Sequence, residues 1–204
     1  NPLDDAIRSA CHFEISDYSK LDEVPFDFVR KRLSILVSQG GSSLIITKGA
    51  LANVLAVCTI CEDSTGRIAD LEPARRQIQE VFERSSAEGL RVVGVAYRSL
   101  GKTSVMAPAD ETGMTFLGLV VLADPPKAGV ADTIASLRRM GVTLKVITGD
   151  NRLVATSVTQ RVGIASPRVV TGQELRLMSN EALRQRAGDI DVFAEVEPNQ
   201  KERI

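Results

Sequence analysis

The pattern of apolar residues changes midway along the 204-residue chain, at two adjacent prolines, Pro125 and Pro126. Before them, β-rich runs at residues 30–38 and 44–47 flank a Gly/Ser turn at residues 40–43, which is typical of an antiparallel hairpin. After them, short runs that are apolar throughout alternate with amphipathic stretches, which is typical of parallel β-α-β units. The sequence therefore predicts an α/β protein, with an antiparallel sheet and flanking helices followed by a partial parallel α/β unit.

Apolar periodicity also predicts the individual elements of the two parts. The predicted helices are residues 48–58, 73–89, 127–140 and 151–162. The predicted strands beyond the hairpin are residues 90–97, 116–122, 142–147 and 192–196. The strand at residues 116–122, just before the two prolines, is predicted to open the parallel part. Residues 101–113 are small and polar, and we expect them to form an exposed loop.

Charge and length restrict the classes of protein to consider. The chain carries 25 Lys+Arg and 26 Asp+Glu, a net charge of −1, which argues against a nucleic-acid partner. Residues 114–123, the longest apolar stretch, fall short of the ~20 residues that span a bilayer, so we expect a soluble, cytosolic unit. Asn1 stands where Met is expected, and residues 198–204 resemble the first turn of a helix without a body, so we expect a part of a longer protein.

Thr148, Gly149 and Asp150 follow a predicted buried strand and precede a predicted helix. Ligands of open α/β sheets bind at this edge, and the N–H groups at a helix start favour anions. Thr148 offers a hydroxyl, Gly149 lets the backbone approach a ligand, and Asp150 can hold a cation or bridge to backbone amides. Alternatively, Asp150 or Asn151 only caps the helix.

A second candidate site lies in the first part of the chain. Lys48 and Gly49 stand between a predicted strand and a predicted helix, where a lysine can reach over a ligand and a glycine leaves room for it. Phe26 and Phe28 lie within a strongly charged stretch, and an aromatic ring beside cations can stack on a nucleobase. The alternatives are a surface lysine and phenylalanines that belong to the core.

Cys58 and Cys61 have the spacing of half a zinc site or of a redox pair. A zinc site needs about four ligands. The sequence has no second cysteine pair, and its only histidine is His12. We therefore predict that these cysteines are structural and that the chain has no metal site, and a single histidine leaves little room for a histidine-dependent triad.

Short segments, in order along almost the whole chain, together resemble the ATP-handling region of P-type ATPases, the cation pumps that form an aspartyl-phosphate. These segments are Asn1-Pro2-Leu3-Asp4, Pro25-Phe26, Lys48-Gly49-Ala50, Gly89-Leu90-Arg91, Leu122-Ala123-Asp124-Pro125-Pro126-Lys127, Thr148-Gly149-Asp150-Asn151 and Val196-Glu197-Pro198 with Lys201. Within the family, residues 22–34 and 201–204 are most similar to bacterial-type magnesium-transporting pumps.

The resemblance implies a nucleotide-binding domain at residues 1–120 and part of the phosphorylation domain, a Rossmann-like fold of the haloacid-dehalogenase type, at residues 121–204. It implies a parent membrane protein that couples ATP hydrolysis to cation transport, with this part on the cytoplasmic side. The implied cofactors are ATP and Mg²⁺, with Mg²⁺ ligands largely outside this chain. The implied partners are an adenine nucleotide and the transmembrane and actuator domains of the pump.

The resemblance also implies roles for individual residues. The residues implied in nucleotide binding are Phe26, stacked on adenine; Lys48, Gly49 and Lys31, lining the pocket; Asp4, contacting the adenine amino group; and Arg91, reaching the phosphates. The residues implied in catalysis are Thr148, Gly149 and Asp150, which hold the transferring phosphoryl group, and Lys201, which neutralises its charge. Glu195 departs from calcium pumps, which have an arginine before Val-Glu-Pro.

Two other functions remain open at this stage. One is a stand-alone phosphatase of the haloacid-dehalogenase type, for which Asp110-Glu111-Thr112 supplies the letters of an Asp-x-Thr nucleophile segment within the expected loop. The other is a regulatory module that binds nucleotide without chemistry. The sequence flanking the chain separates these functions from the pump.

The 204 residues contain no Asp-Lys-Thr-Gly-Thr segment, which in the pumps carries the phosphorylated aspartate. We therefore expect this chain by itself to bind adenine nucleotide without phosphorylating itself or turning over ATP. A phosphate-release assay on the purified chain should stay at the background rate. Steady hydrolysis that disappears in Asp150→Asn would contradict this expectation.

Overall fold

The computed structural model describes residues 2–10 and 14–204, so Asn1, Cys11, His12 and Phe13 lie outside the described residues. The chain divides into two compact units. The first unit comprises Asn1–Phe82 and Val92–Leu122, and the second comprises Glu83–Arg91 and Ala123–Ile204. Within the described residues, the strands form one seven-stranded sheet and one three-stranded sheet.

The seven-stranded sheet forms the body of the first unit, with strand order β1-β2-β3-β6-β7-β4-β5 among the described residues. Its strands are β1 (Tyr18–Val24), β2 (Arg32–Gln39), β3 (Ser42–Gly49), β4 (Cys58–Glu62), β5 (Ile68–Asp70), β6 (Arg91–Gly101) and β7 (Met114–Leu122). The pairs β1–β2, β2–β3, β3–β6 and β4–β5 are antiparallel, and β4–β7 is parallel. The predicted hairpin and the antiparallel character of this part are confirmed.

Among the described residues, the α-helices that accompany this sheet are α1 (Pro2–Ala10), α2 (Leu51–Leu55) and α3 (Arg75–Ala87). The core forms where Leu51 and Val54 of α2, with the half-buried Phe82 of α3, pack against sheet residues such as Leu36 and Ile45. Burial of such side chains contributes roughly 1.5–3 kcal/mol each, so this cluster is the main source of stability in the unit.

Two sequence-based predictions for this unit are wrong. The predicted helix at residues 48–58 is only Leu51–Leu55, and Cys58 begins β4. Cys58 matched the helical spacing because it is buried in the same core as α2. The strand predicted at residues 116–122 is β7, which lies in the large sheet between β6 and β4 instead of opening the second unit. A short apolar run does not reveal which sheet it joins.

The second unit is built around the three-stranded parallel sheet, with order β8-β10-β9. Its strands are β8 (Val146–Ile147), β9 (Val169–Thr171) and β10 (Val192–Ala194). Its helices are α4 (Val130–Arg139), α5 (Arg152–Arg161), α6 (Gly172–Leu177) and α7 (Asn180–Arg186). Residues 198–203 form a 3-10 helix.

The parallel strand-helix alternation predicted for this unit is confirmed, although the strands are shorter than their apolar runs. Ala155 of α5 packs on Val192 and Ala194 of β10, and on the other side Phe193 joins a cluster with Leu175 and Leu183. Such two-sided burial explains why β10 is apolar throughout. None of the helices in the described part of the chain has the length and apolar character needed to span a bilayer.

A close backbone approach at Gly172 joins α6 to the turn after β10. A Cβ placed on Gly172 would lie 2.4 Å from the Glu195 carbonyl oxygen and 2.7 Å from Oε1 of Gln200. The buried Gln200 in turn donates from Nε2 to the Gly172 carbonyl oxygen at 2.8 Å. Only glycine fits this position without movement of the turn.

We therefore expect Gly172→Ala to lower the free energy of unfolding by about 1–3 kcal/mol through overpacking. Gly188→Ala is the matched control, since a Cβ there would meet nothing within 4 Å, and we expect a change within about 0.5 kcal/mol. Urea denaturation followed by circular dichroism measures both. Equal midpoints for the two variants would contradict the close approach.

Candidate functional site

The pairing of β2 with β3 brings the predicted nucleotide-binding residues of the first unit to one end of the large sheet. Arg32 lies opposite Gly49, and Leu33 lies opposite Lys48. The loop of residues 25–31, which carries Phe26 and Lys31, leads directly into β2. These candidate residues therefore gather where β2 begins and β3 ends.

Gly49 closes this end of the sheet by a close backbone approach. A Cβ on Gly49 would lie 2.5 Å from both the Lys31 carbonyl oxygen and the Arg32 Cβ atom. The same Lys31 carbonyl accepts a hydrogen bond from the Ala50 N–H at 2.9 Å, and Lys31 has a left-handed backbone with φ 50°. Glycine is thus required here by contacts within the chain itself.

The two phenylalanines of the loop lie outside the core. The Phe26 and Phe28 side chains are 48% and 52% exposed. Their ring centroids are 5.4 Å apart with an interplanar angle of 89°, an edge-to-face contact. The alternative that these rings are core residues is therefore wrong, and the structure leaves aromatic surface for a ligand to stack on.

Lys48 and Asp4 form an ion pair at the same end of the sheet. The Lys48 Nζ atom donates to Oδ1 of Asp4, which α1 supplies. This hydrogen bond lowers the pKa of Asp4 below its usual value. Two residues that were expected to contact the same base are therefore in direct contact, and both remain partly exposed.

The loop that carries Phe26 is held by Asp27 and Arg30. One Asp27 carboxylate oxygen accepts the N–H groups of Val29 and Arg30 at 2.9 and 2.7 Å. The Arg30 guanidinium donates to the other Asp27 oxygen and, at 2.7 Å, to the Pro25 carbonyl oxygen. Because one side chain bonds both ends of a short loop, the backbone around Phe26 is fixed.

Glu111 is the important residue of this end that the sequence analysis missed. Residues 101–113 were predicted to be an exposed loop, but the Glu111 side chain is 0% exposed. Its carboxylate accepts hydrogen bonds from Arg30 at 2.6 Å, Arg32 at 2.7 Å and Ser34 at 2.6 Å. No periodic pattern marks a single buried acid within a polar loop, so no local signal identifies it in advance.

Burial by itself raises the pKa of Glu111, but the hydrogen bonds from Ser34, Arg30 and Arg32 together lower it below the usual value. The carboxylate is therefore ionised in the folded chain at neutral pH. A carboxyl with a lowered folded-state pKa stabilises the fold above its unfolded-state pKa, and this contribution is lost as the pH falls through the folded-state pKa.

In the second unit, Thr148, Gly149 and Asp150 form the turn after β8. The Thr148 N–H donates to the Phe193 carbonyl oxygen of β10 at 2.9 Å, and the Val196 N–H donates to the Thr148 carbonyl oxygen at 3.0 Å. The Thr148 hydroxyl donates to Asp150 Oδ2 at 2.9 Å and accepts the Asp150 N–H at 3.1 Å. Adjacent parallel strands thus hold the turn in place.

The helix cap and the carboxylate that pairs with Arg91 are different residues. Asn151 is the N-cap of α5, since its Oδ1 accepts the Val154 N–H at 3.0 Å. The Asp150 carboxylate is left to pair with Arg91, with 3.0 Å between Nε and Oδ1 and 3.2 Å between Nη2 and Oδ2. The capping alternative is therefore correct for Asn151 and wrong for Asp150.

Arg91, predicted to contact the nucleotide phosphates, lies at the edge of a cavity of about 200 Å³ in the second unit. Its guanidinium also reaches Asp124, at 3.2 Å from Nη1 to Oδ2. The cavity is lined by Gly89, Arg91, Asp124, Pro125, Pro126, Asp150, Val154 and Val158. Arg91 and Asp150 are 43% and 26% exposed, so this ion pair is open to solvent and to ligands.

The other two residues predicted for this site are Lys201 and Gly149. Lys201 is exposed in the 3-10 helix, and in the described part of the chain its side chain makes no hydrogen bond to Thr148 or Asp150. A Cβ on Gly149 would meet only the Val196 carbonyl oxygen, at 3.8 Å, so no contact within the chain requires glycine there.

Glu195 supports the turn of residues 148–150 from the end of β10. It has a left-handed backbone with φ 57°. Its N–H donates to the Asp150 carbonyl oxygen at 2.9 Å, and its side chain accepts the Arg152 N–H at the start of α5 at 3.1 Å. From the sequence, Glu195 was noted only because calcium pumps have an arginine at this position. Its left-handed backbone conformation could not be predicted, since no sequence pattern marks that conformation in a residue other than glycine.

The remaining predictions concern the cysteines and the phosphatase alternative. Cys58 is buried, which raises the pKa of its thiol to about 12, and it donates to the Val54 carbonyl oxygen, as expected of a structural cysteine. Asp110 ends a 3-10 turn in the first unit, where its carboxylate accepts the Ala107 N–H at 2.8 Å. With Glu111 held by arginines, this segment does not resemble a nucleophile at a strand end.

Comparison with known proteins agrees with this geometry. Residues 6–129 match the family model described as "P-type ATPase, cytoplasmic domain N". The chain is 37% identical over 192 residues to a magnesium-transporting ATPase, P-type 1, of Salmonella typhimurium, an alignment that covers 92% of this chain and 21% of that protein.

Two further relatives show the same coverage. A magnesium-transporting ATPase, P-type 1, of Escherichia coli K12 is 35% identical, over 93% of this chain and 21% of its own length. A calcium-transporting ATPase 1 of Bacillus cereus is 32% identical, over 92% of this chain and 21% of its own length. The chain spans about a fifth of the length of these relatives. On the match to more than half of its residues, the chain belongs to the P-type ATPases, with residues 6–129 corresponding to cytoplasmic domain N.

Proposed function

We propose that this chain is the ATP-handling part of a cation-transporting P-type ATPase, with magnesium as the transported ion. Its first unit binds the adenine ring of ATP between Phe26 and Lys48. The observation that carries this proposal is the exposed Phe26 ring, presented at the same end of the sheet as the Lys48–Asp4 ion pair. Magnesium is favoured over calcium because the magnesium-transporting relatives have the higher identity.

Each residue of the first unit has a physical role in this proposal. Stacking of the adenine ring on Phe26 contributes about 1–3 kcal/mol to the binding free energy. Lys48 and Lys31 supply positive charge, and Asp4 accepts from the adenine amino group. Gly49 keeps the end of β3 seated against Lys31, so that both lysines lie at the pocket.

The second unit would handle the phosphoryl group. Thr148, Gly149 and Asp150 follow a parallel strand, the position at which α/β folds bind ligands. Arg91 pairs with Asp150 beside a cavity and can exchange this carboxylate for a phosphate. Lys201 would neutralise charge, and this assignment rests on the sequence resemblance alone.

The domain assignment follows from these roles. We infer a nucleotide-binding domain at residues 1–120 and part of a phosphorylation domain of the haloacid-dehalogenase type at residues 121–204. The compact units change at Leu122 and Ala123, which supports a boundary in this region, while Glu83–Arg91 groups with the second unit. The parallel order of β8, β10 and β9 supports a Rossmann-like unit.

In the whole pump, the proposed partners are the transmembrane and actuator domains, and the proposed location of this part is the cytoplasmic side of the membrane. Mg²⁺ is the implied cofactor of phosphoryl transfer. Within residues 2–10 and 14–204, no group of three or more His, Cys, Asp or Glu side chains is arranged to hold a metal ion. No step of the proposal is routed through Mg²⁺.

Calorimetric titration with ADP tests the base pocket directly. We expect Phe26→Ala to weaken ADP binding by about 5- to 150-fold, since a stacked base is worth about 1–3 kcal/mol. Lys48→Ala should weaken it by about tenfold or more, because hydrogen bonds to charged groups contribute about 1.5–3 kcal/mol.

Two variants serve as matched controls. Lys20 forms an ion pair with Glu23 on β1, as Lys48 does with Asp4. Ile68 is 46% exposed, a fraction similar to the 48% of Phe26. Lys20→Ala and Ile68→Ala should leave ADP binding unchanged. If Phe26→Ala and Lys48→Ala also bind ADP with unchanged affinity, the pocket assignment is wrong.

A further inference from the structure

The Arg30 guanidinium connects the Phe26 loop to a buried carboxylate. Two of its nitrogens bond the loop, at Asp27 and at the Pro25 carbonyl oxygen. Its third nitrogen, Nη1, donates to Glu111 Oε1 at 2.6 Å. Every nitrogen of the group therefore has a partner, and the loop on either side of Phe26 is tied to one point.

Glu111 is suited to be that point because it cannot move without a large cost. Its carboxylate is fully buried and is also held by Arg32 of β2 and by the Ser34 hydroxyl. Ser34 itself shares a 2.6 Å hydrogen bond with Thr47 of β3. A buried charge that loses a partner is strongly destabilised, so these bonds are kept in one geometry.

We propose that Glu111 is a positioning residue for nucleotide binding, which holds Phe26 in its base-stacking position through Arg30. This inference rests on the proposed function. A ring that is already held in place loses little conformational freedom when a base stacks on it, and such preorganisation increases affinity without a new contact.

Arg32 provides a matched control within the same cluster. It donates to Glu111 at 2.7 Å, as Arg30 does, but its other bond goes to the Asn53 carbonyl oxygen of α2 at 3.3 Å. Loss of either arginine removes one partner of the buried carboxylate. Only loss of Arg30 releases the Phe26 loop.

The sign of the effect separates positioning from simple electrostatics. Glu111→Gln removes a negative charge near the cationic pocket and keeps the shape of the side chain. Electrostatics alone would therefore strengthen ADP binding and leave adenosine binding unchanged. Loss of positioning weakens the binding of ADP and of adenosine by the same factor, because Phe26 stacks on the adenine ring that both ligands share.

The experiment compares Glu111→Gln, Arg30→Gln, Arg32→Gln and the Glu111→Gln/Arg30→Gln pair with the unsubstituted chain. Urea titrations first define a temperature at which every variant is fully folded. Dissociation constants for ADP and adenosine are then measured by NMR titration. In the ligand-free chain, the nuclear Overhauser effects between the Phe26 and Phe28 rings report the order of the loop.

We expect Glu111→Gln and Arg30→Gln each to weaken the binding of ADP and of adenosine by about 3- to 10-fold, which corresponds to the cost of ordering one or two side chains. The double variant should be no weaker than the single variants, because both act through one connection. Arg32→Gln should stay within about twofold of the unsubstituted chain, even if it is equally destabilised towards urea. The nuclear Overhauser effects between the Phe26 and Phe28 rings should become weaker in Glu111→Gln and Arg30→Gln and stay unchanged in Arg32→Gln.

Two results overturn the inference alone: unchanged or tighter ADP binding in Glu111→Gln, or equal weakening in Arg30→Gln and Arg32→Gln, in a chain whose ADP binding still depends on Phe26. If the unsubstituted chain binds neither ADP nor adenosine, the proposed function fails first and the inference fails with it.

Discussion

Antiparallel hydrogen bonding between β2 and β3 sets Arg32 opposite Gly49, and the candidate nucleotide site depends on this register. This register brings the loop before β2 to the end of β3, so that Phe26 and Lys48 lie at the same end of the sheet. A shift by one residue would exchange the two faces of the strand and remove Leu36 and Ser34 from the buried side. The tight fit of Gly49 against the Lys31 carbonyl allows only the observed pairing at this end.

Paired carboxylates and guanidinium groups occur in both units but under different conditions. Glu111 is fully buried between Arg30 and Arg32, and a pair of this kind fixes geometry because breaking it leaves a charge without water. Asp150 and Arg91 are partly exposed, and pairs of that kind contribute little to stability. The first arrangement suits a support that stays in place, and the second suits groups that exchange partners when a phosphate arrives.

The sequence predicted those parts of the structure whose signal is local. The hairpin of β2 and β3, the end of α3 near Gly89 and the turn at Thr148 each depend on residues close together in the chain. The placement of β7 beside β4 and the burial of Glu111 depend on contacts between distant segments. No pattern in a short window carries that information.

The candidate site divides in the same way. Motifs suggest Phe26, Lys48 and Asp150 as candidates, and in the structure these residues contact Phe28, Asp4 and Arg91 respectively. The residues that hold them, Arg30 and Glu195 among others, act through hydrogen bonds to main-chain atoms or buried acids. Such contacts depend on the geometry of the fold more than on a characteristic residue pattern, so they are harder to predict from a single sequence.

The most direct test of the central claim is the position of the adenine ring. NMR of the chain bound to ADP can measure intermolecular nuclear Overhauser effects between the adenine H2 and H8 protons and protein side chains. If Phe26 and Lys48 form the base pocket, the Phe26 ring and the methylene groups of Lys48 will show these effects. Adenine protons that contact other residues and neither of these would contradict it.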